Sequence, residues 1–284
     1  MRVETATEEV INLEEFKQRL DRELDIESEE SMRAMSPHLV ALCNNKRFLA
    51  EFLTSTLLDD DFQSNNPWDV GATLMLGRGH GYVIRAVLWP PQSTDDLSAS
   101  DGGKHVYHGD AGVVHSHPFS LLTAGYWGPG YETVVYSFDQ NVLNPRNNVA
   151  GCSAGLRPTG RFRLSPGTAL FYPAYTVAHI QYPPADYSIS VNLIIRTKGN
   201  LRDQLYFDLK TDTVLRAGDS ANDNRIELIR MASALSDRRL MPALEVIASN
   251  HVSFRVREEA AAALEEQRKM LVGCPGAESA AAVE

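Results

Sequence analysis

The feature that most constrains this chain is a change of hydrophobic period. From about residue 70 to residue 197 apolar and β-branched residues recur every second position, in runs cut by Gly and Pro. Gly71–Gly77 and His80–Trp89 read as strands, the second stopped by Pro90-Pro91. Further strands are predicted at 104–108, 112–123, 131–138, Arg161–Leu164, Thr168–Tyr172, Thr176–Tyr182 and Ser188–Arg196, with a polar loop at 92–103 and a loop rich in Asn, Pro and Gly at 140–160. Many short strands joined by such turns make a sandwich or a barrel.

On either side the period is helical. Ile11, Leu13, Phe16 and Leu20 share one face of a predicted helix; Met32, Met35, Leu39, Leu42 and Cys43 define a second, and Arg47–Thr54 a third, ending in Asp59-Asp60-Asp61, a solvated turn. After residue 220 one helix is predicted at Arg225–Met231 and a helix pair at Met241–Ala248 and Arg255–Leu264, similar to a single HEAT repeat. The expected organisation is a helical layer over 1–66, a β-barrel over 67–200, and a linker with a helical, HEAT-like appendage over 201–284, with 276–284 disordered.

Composition sets outer bounds. With 284 residues, 43% hydrophobic and 23% charged, the chain is long enough for one large core with appendages. A net charge of −10 argues against nucleic acid and anionic membranes as partners, leaving a small molecule, with a homodimer as the assembly to test. Three scattered cysteines, an acidic N-terminus without an apolar run and no 20-residue apolar stretch point to a reducing, cytoplasmic setting.

His115 and His117 stand at i and i+2 in a strand pattern, so their side chains share a face. Two imidazoles on one face make up most of a metal site. His105 and His108 on the preceding strand pattern, and Glu132 on the following hairpin, are the candidates for an additional ligand.

These histidines belong to a longer pattern. Gly109, five residues, then His115-Ser-His117 is similar to the first half of the cupin signature; Gly167, five residues, Pro173 and then His179 is similar to the second, with Asn192 near the end of the strand pattern. The chain thus resembles the cupin superfamily over roughly residues 70–197, which implies a mainly β, jelly-roll (double-stranded β-helix) barrel and a metal held by His115, His117 and His179. Two departures stand out. Tyr175 replaces the usual glycine, with one extra residue before His179, and Leu121 and Leu122 stand where a glutamate ligand is expected.

A three-His set resembles the cysteine dioxygenase-like thiol dioxygenases, and implies Fe(II) with dioxygen as co-substrate. Arg85 lies about where those enzymes carry a carboxylate-binding arginine; a salt bridge to the N-terminal helices is the other reading of Arg85. The resemblance then fades. The crosslinked cysteine would fall near Leu122, and a Ser-x-His-x-Tyr triad would align with Ser190-Val-Asn192-Leu-Ile194. The expected protein is a relative with another substrate: an oxygenase of a small organic acid, amino acid or thiol. Arg85, Tyr175 and Asn192 would contact substrate, and Tyr107, Tyr126, Tyr131 and Tyr172 would line the pocket. Alternatives are a cupin using another metal for isomerisation or hydrolysis, and a non-catalytic ligand binder. A 2-oxoglutarate oxygenase would need an acid at His117.

Overall fold

The computed structural model describes residues 1–3, 5–61, 73–91, 113–144, 150–195, 202–218 and 221–273. The expected strand at 104–108, the loop at 92–103, Gly109, His105, His108, Tyr107 and the tail after 275 lie outside them.

In chain order the elements are β1 (Arg2–Val3), α1 (Leu13–Glu23), α2 (Glu29–Ala34), α3 (Ser36–Asn44), α4 (Phe48–Thr56), β2 (Thr73–Arg78), β3 (Tyr82–Trp89), β4 (Val114–Ser116), β5 (Ser120–Trp127), β6 (Glu132–Ser137), β7 (Arg157–Arg163), β8 (Ala169–Tyr172), β9 (Ala178–Tyr182), β10 (Ser188–Ile195), β11 (Gln204–Asp208), β12 (Thr213–Gly218), α5 (Ala221–Leu235), α6 (Met241–Asn250) and α7 (Phe254–Gly273). Two six-stranded sheets form, in the orders β1-β8-β5-β10-β3-β2 and β12-β11-β4-β9-β6-β7. Counting β3 as first and β10 as eighth, the central orders are 6-3-8-1 and 2-7-4-5, the two interleaved Greek keys of a jelly roll. The fold is the expected jelly-roll arrangement with helical parts, as two facing sheets and not a closed barrel.

The first sheet is covered on both faces. Leu122, Ala124 and Tyr126 of β5, Val191, Leu193 and Ile195 of β10, and Ile84 and Ala86 of β3 pack under Phe16, Leu20, Leu39, Leu42 and Phe48 of the helices. The intervening residues face the other sheet, where Val87, Trp89, Leu121, Leu170, Tyr172 and Ile194 meet Tyr131, Val135 and Leu164. Strand alternation therefore assigns each residue to the helical layer or to the interior. Asn12 starts α1 with a reciprocal capping box to Glu15.

Several expectations need correction. The second predicted helix is two, α2 and α3, because Pro37 restarts the backbone in the first turn of α3. The single strand predicted at 112–123 breaks at His117-Pro118 into β4 and β5, which lie in different sheets. Proline has no N–H to continue the ladder, so the chain turns the corner there. Strand β7 begins at Arg157, inside the predicted loop. Residues 201–220, expected as linker, hold the β11–β12 hairpin, which extends the second sheet beside β4.

At the C-terminus α5, α6 and α7 share a core of Ile226, Ile229, Leu244, Val256, Ala260 and Leu264. This three-helix unit is fastened to the start of β11. The fully buried Asp203 carboxylate accepts from Asn222 (3.0 Å) and pairs with Arg255 (3.2 Å). Among the described residues no helix is long and apolar enough to cross a membrane.

Candidate metal centre

Strand pairing builds the site. β4 lies beside β9 with His115 directly opposite His179, and His117 follows β4 by one residue. Tyr175 N–H donates to the His117 carbonyl (2.9 Å), which ties the corner to the turn that leads into β9. The three side chains are buried, at 3%, 9% and 0% exposure, and each offers a nitrogen within 4.8 Å of the others. Among the described residues this is the sole group of metal-competent side chains.

The ring orientations fit a shared ion. His115 Nδ1 lies 2.9 Å from the Val113 carbonyl, which can only accept; Nδ1 therefore carries a proton, and in the neutral ring Nε2 keeps its lone pair. His179 Nδ1 faces Thr133 Oγ1 at 3.3 Å, and its Nε2 lies 2.7 Å from His117 Nε2. Two nitrogens ligating one ion at right angles, each at about 2.1 Å, stand about 3 Å apart. Among the described residues His117 Nδ1 is buried without a hydrogen-bond partner, and the ring stacks on Phe119 at 4.6 Å.

Burial holds His117 and His179 well below the usual histidine range; His115 adds to this in both, His117 adds to it in His179, and the Arg85 charge adds to it in His117. Both are neutral at physiological pH, as metal ligands must be. A compact, buried set of three imidazoles suits Fe(II), Co, Ni, Cu or Zn and leaves coordination positions for other ligands.

The facing sheet supplies the rest of the interior. Arg85 of β3 pairs in register with Asn192 of β10, which pairs with Thr123 of β5. It alternates with Ile84 and Ala86, which face the helices, so Arg85 faces the interior and its charge reaches His117 and Tyr131. Thr123 donates to Asn192 Oδ1 (2.6 Å), as does Ser190 (3.2 Å), and Trp89 Nε1 donates to Ser190 (3.0 Å). Tyr131 packs on Trp89 at 4.4 Å, and burial pushes its phenol up to about 12. Tyr172 lies 4.4 Å from the His179 ring and is likewise held neutral by burial.

Of the expected site residues, the structure therefore brings Arg85, Asn192, Tyr131 and Tyr172 to the interior shared with the three histidines. Tyr175 is not brought there. It sits at φ +58, where the cupin pattern has glycine, and its ring packs outside the second sheet with Val114, Ala178 and Leu205 while its hydroxyl donates to the Arg202 carbonyl. The left-handed backbone that favours glycine is kept, and the outward packing and the hydrogen bond to Arg202 hold tyrosine there. Tyr126 faces the helical layer and donates to the Lys46 carbonyl. Glu132, a candidate ligand, is paired outside with Arg161 (2.7 Å) and Arg163 (2.5 Å), because the strand alternation that turns Thr133 inward turns Glu132 outward. Thr133 was not singled out from the sequence; its only signal was its parity with Tyr131 and Val135 on β6.

No protein-family model matches the chain, and no curated protein matches it. Solved structures match parts of it. A DMSP lyase from Ruegeria pomeroyi DSS-3 is 14% identical over 52% of this chain and 56% of its own, with a TM-score of 0.28. A hydroquinone 1,2-dioxygenase from Sphingomonas sp. TTNP3 is 13% identical over 50% of this chain and 76% of its own (TM-score 0.30). An RmlC-like cupin from Shewanella frigidimarina NCIMB 400 is 16% identical over 46% of this chain and 83% of its own (TM-score 0.25). The chain spans about half the length of the lyase it matches.

Proposed function

We propose that the chain is a metal-dependent enzyme of the three-His type, a non-haem Fe(II) oxygenase acting on a small organic acid, amino acid or thiol. One observation carries the reading: His115, His117 and His179 converge, buried, within the two-sheet interior that also receives the Arg85 cation. His115, His117 and His179 would hold the ion through ring nitrogens. When bound, Fe(II) supplies a redox-active Lewis acid with positions open to substrate and dioxygen.

The chain's own residues do the rest. Arg85 binds a substrate carboxylate through its planar fork, which fixes orientation as well as charge. Asn192, held by Thr123 and Ser190 through its Oδ1, keeps its amide N–H groups for a substrate acceptor. Phe119, Leu121, Leu170 and Tyr172 exclude water from the reacting groups. The test is oxygen consumption by iron-loaded protein against a panel of small carboxylates, amino acids and thiols. Uptake that depends on His179 and on the substrate carboxylate supports the proposal. Stoichiometric metal with turnover of a substrate and no oxygen consumption would replace the oxygenase reading with isomerisation, hydrolysis or elimination at the same centre.

A further inference from the structure

His179 turns Nε2 toward the other histidines and Nδ1 toward Thr133, so it can ligate with them only with its proton on Nδ1, because a neutral imidazole has one N–H and one lone pair. For His115 that choice is made by a backbone carbonyl, which cannot donate. For His179 the facing group is the Thr133 hydroxyl, 3.3 Å from Nδ1, which can either accept or donate. If Thr133 donates to Nδ1, the imidazole proton is driven to Nε2, the nitrogen 2.7 Å from His117 Nε2, and the ligand is lost. The direction of one hydroxyl therefore decides whether the third ligand exists.

A second observation bears on that direction. Tyr172 is 1% exposed, and its hydroxyl is buried without a hydrogen bond of good geometry among the described residues. It lies beside Thr133 and Tyr131, and its ring lies against His179. A buried phenol oxygen without a donor draws the nearest hydroxyl toward it, since leaving it unpaired is costly. Two hydroxyls stand beside it, those of Thr133 and Tyr131, and Thr133, itself 0% exposed, is the one that also faces His179 Nδ1.

We propose that Thr133 is a positioning residue of the metal centre. Its Oγ1 accepts the His179 Nδ1 proton while its own O–H is turned toward Tyr172, so that His179 is locked with Nε2 free. This rests on the three-His reading and adds to it a residue on a different strand, β6, that the cupin pattern does not mark. The arrangement involves no net proton transfer: Nδ1–H donates, the threonine O–H donates onward, and both protons stay on their atoms.

The test uses the full-length protein stripped of metal, with zinc as the probe. Zinc affinity is measured by competition with a chromophoric chelator, and the His179 tautomer is read from ¹⁵N chemical shifts of the ring nitrogens in the metal-free state. Thr133→Val keeps the volume and removes the hydroxyl; it is expected to weaken zinc about 10-fold or more and to erase the Nδ1–H signature at His179. Thr133→Ser is expected to restore both, and Tyr172→Phe to shift the tautomer toward Nε2–H with a smaller loss of affinity. Native-like thermal melting of Thr133→Ser controls for folding if the valine variant is unstable. Zinc affinity within about twofold of wild type in Thr133→Val, with His179 still protonated on Nδ1, overturns the inference. His115→Ala separates the two levels. If it abolishes zinc binding while Thr133→Val does not, Thr133 alone fails; if it too is without effect, the three-His reading fails with it.

Discussion

Acid is a selective perturbation of this core, because two of its buried groups are neutral imidazoles. Burial first, then nearby positive charge (His115 for both rings, Arg85 for His117), depresses the folded values of His117 and His179 well below 6.5. Below about pH 6.5 the unfolded chain therefore binds protons that the folded chain refuses, and stability falls as pH falls. The stabilisation from keeping these rings neutral is fully present above about pH 6.5. It is lost on descending toward the folded values. Each ring contributes at most about 1.4 kcal/mol per pH unit in that window, so the pair contributes up to about 3 kcal/mol per unit. Set against a total of about 5–15 kcal/mol for an ordinary domain, this is a large share. The assay is urea unfolding of chelator-treated protein between about pH 8 and about pH 5, alongside a His117→Leu/His179→Leu variant. Wild type should show the steep loss below about pH 6.5, and the variant should show a much shallower one. Exposed carboxylates such as Asp237, held down to about 2 by Arg239, are common to both proteins and cancel in the difference. Parallel pH curves for the two proteins would refute the reasoning.

Three further substitutions probe the architecture. Tyr175→Phe should cost about 1 kcal/mol by removing the hydrogen bond to the Arg202 carbonyl, and should leave metal affinity unchanged, measured by denaturation and chelator competition. Glu132→Gln, on a half-exposed pair of arginines, should change stability by no more than about 1 kcal/mol and leave metal content at the wild-type level; loss of metal would place Glu132 in the centre after all. Leu122→Ala, at a fully buried position between β5 and the helices, should cost about 2–5 kcal/mol in urea unfolding, and a loss below about 1 kcal/mol would mean that this layer is loosely packed.

The class of fold was legible because alternation and helical spacing are local signals. β3, β6, β8, β9 and β10 follow from their own residues, and so do the helices under the first sheet. What escaped the sequence was pairing and direction. Pro118 marks locally where the ladder breaks, but not that the chain passes there from one sheet to the other, since both sides are apolar. The β11–β12 hairpin is short and mixed in character, and it is a strand pair because β4 offers it an edge. The three histidines were legible from spacing around Gly167 and Pro173. The outward turn of Tyr175 was not, because it depends on a left-handed residue at a turn. Thr133 was hidden for a related reason: its role comes from the register of β6 against β9, which places Val135 opposite His179 and Thr133 two residues along.

The most direct measurement is metal stoichiometry. Protein purified without chelator, or reloaded anaerobically with Fe(II), should carry close to one ion per chain, and Co(II) in its place should give the visible absorption of a nitrogen-ligated ion. Both signals should vanish in His117→Ala and in His179→Ala while the fold persists. Metal at background level in the native chain, or one ion retained in the His115→Ala/His117→Ala/His179→Ala variant, would contradict the account.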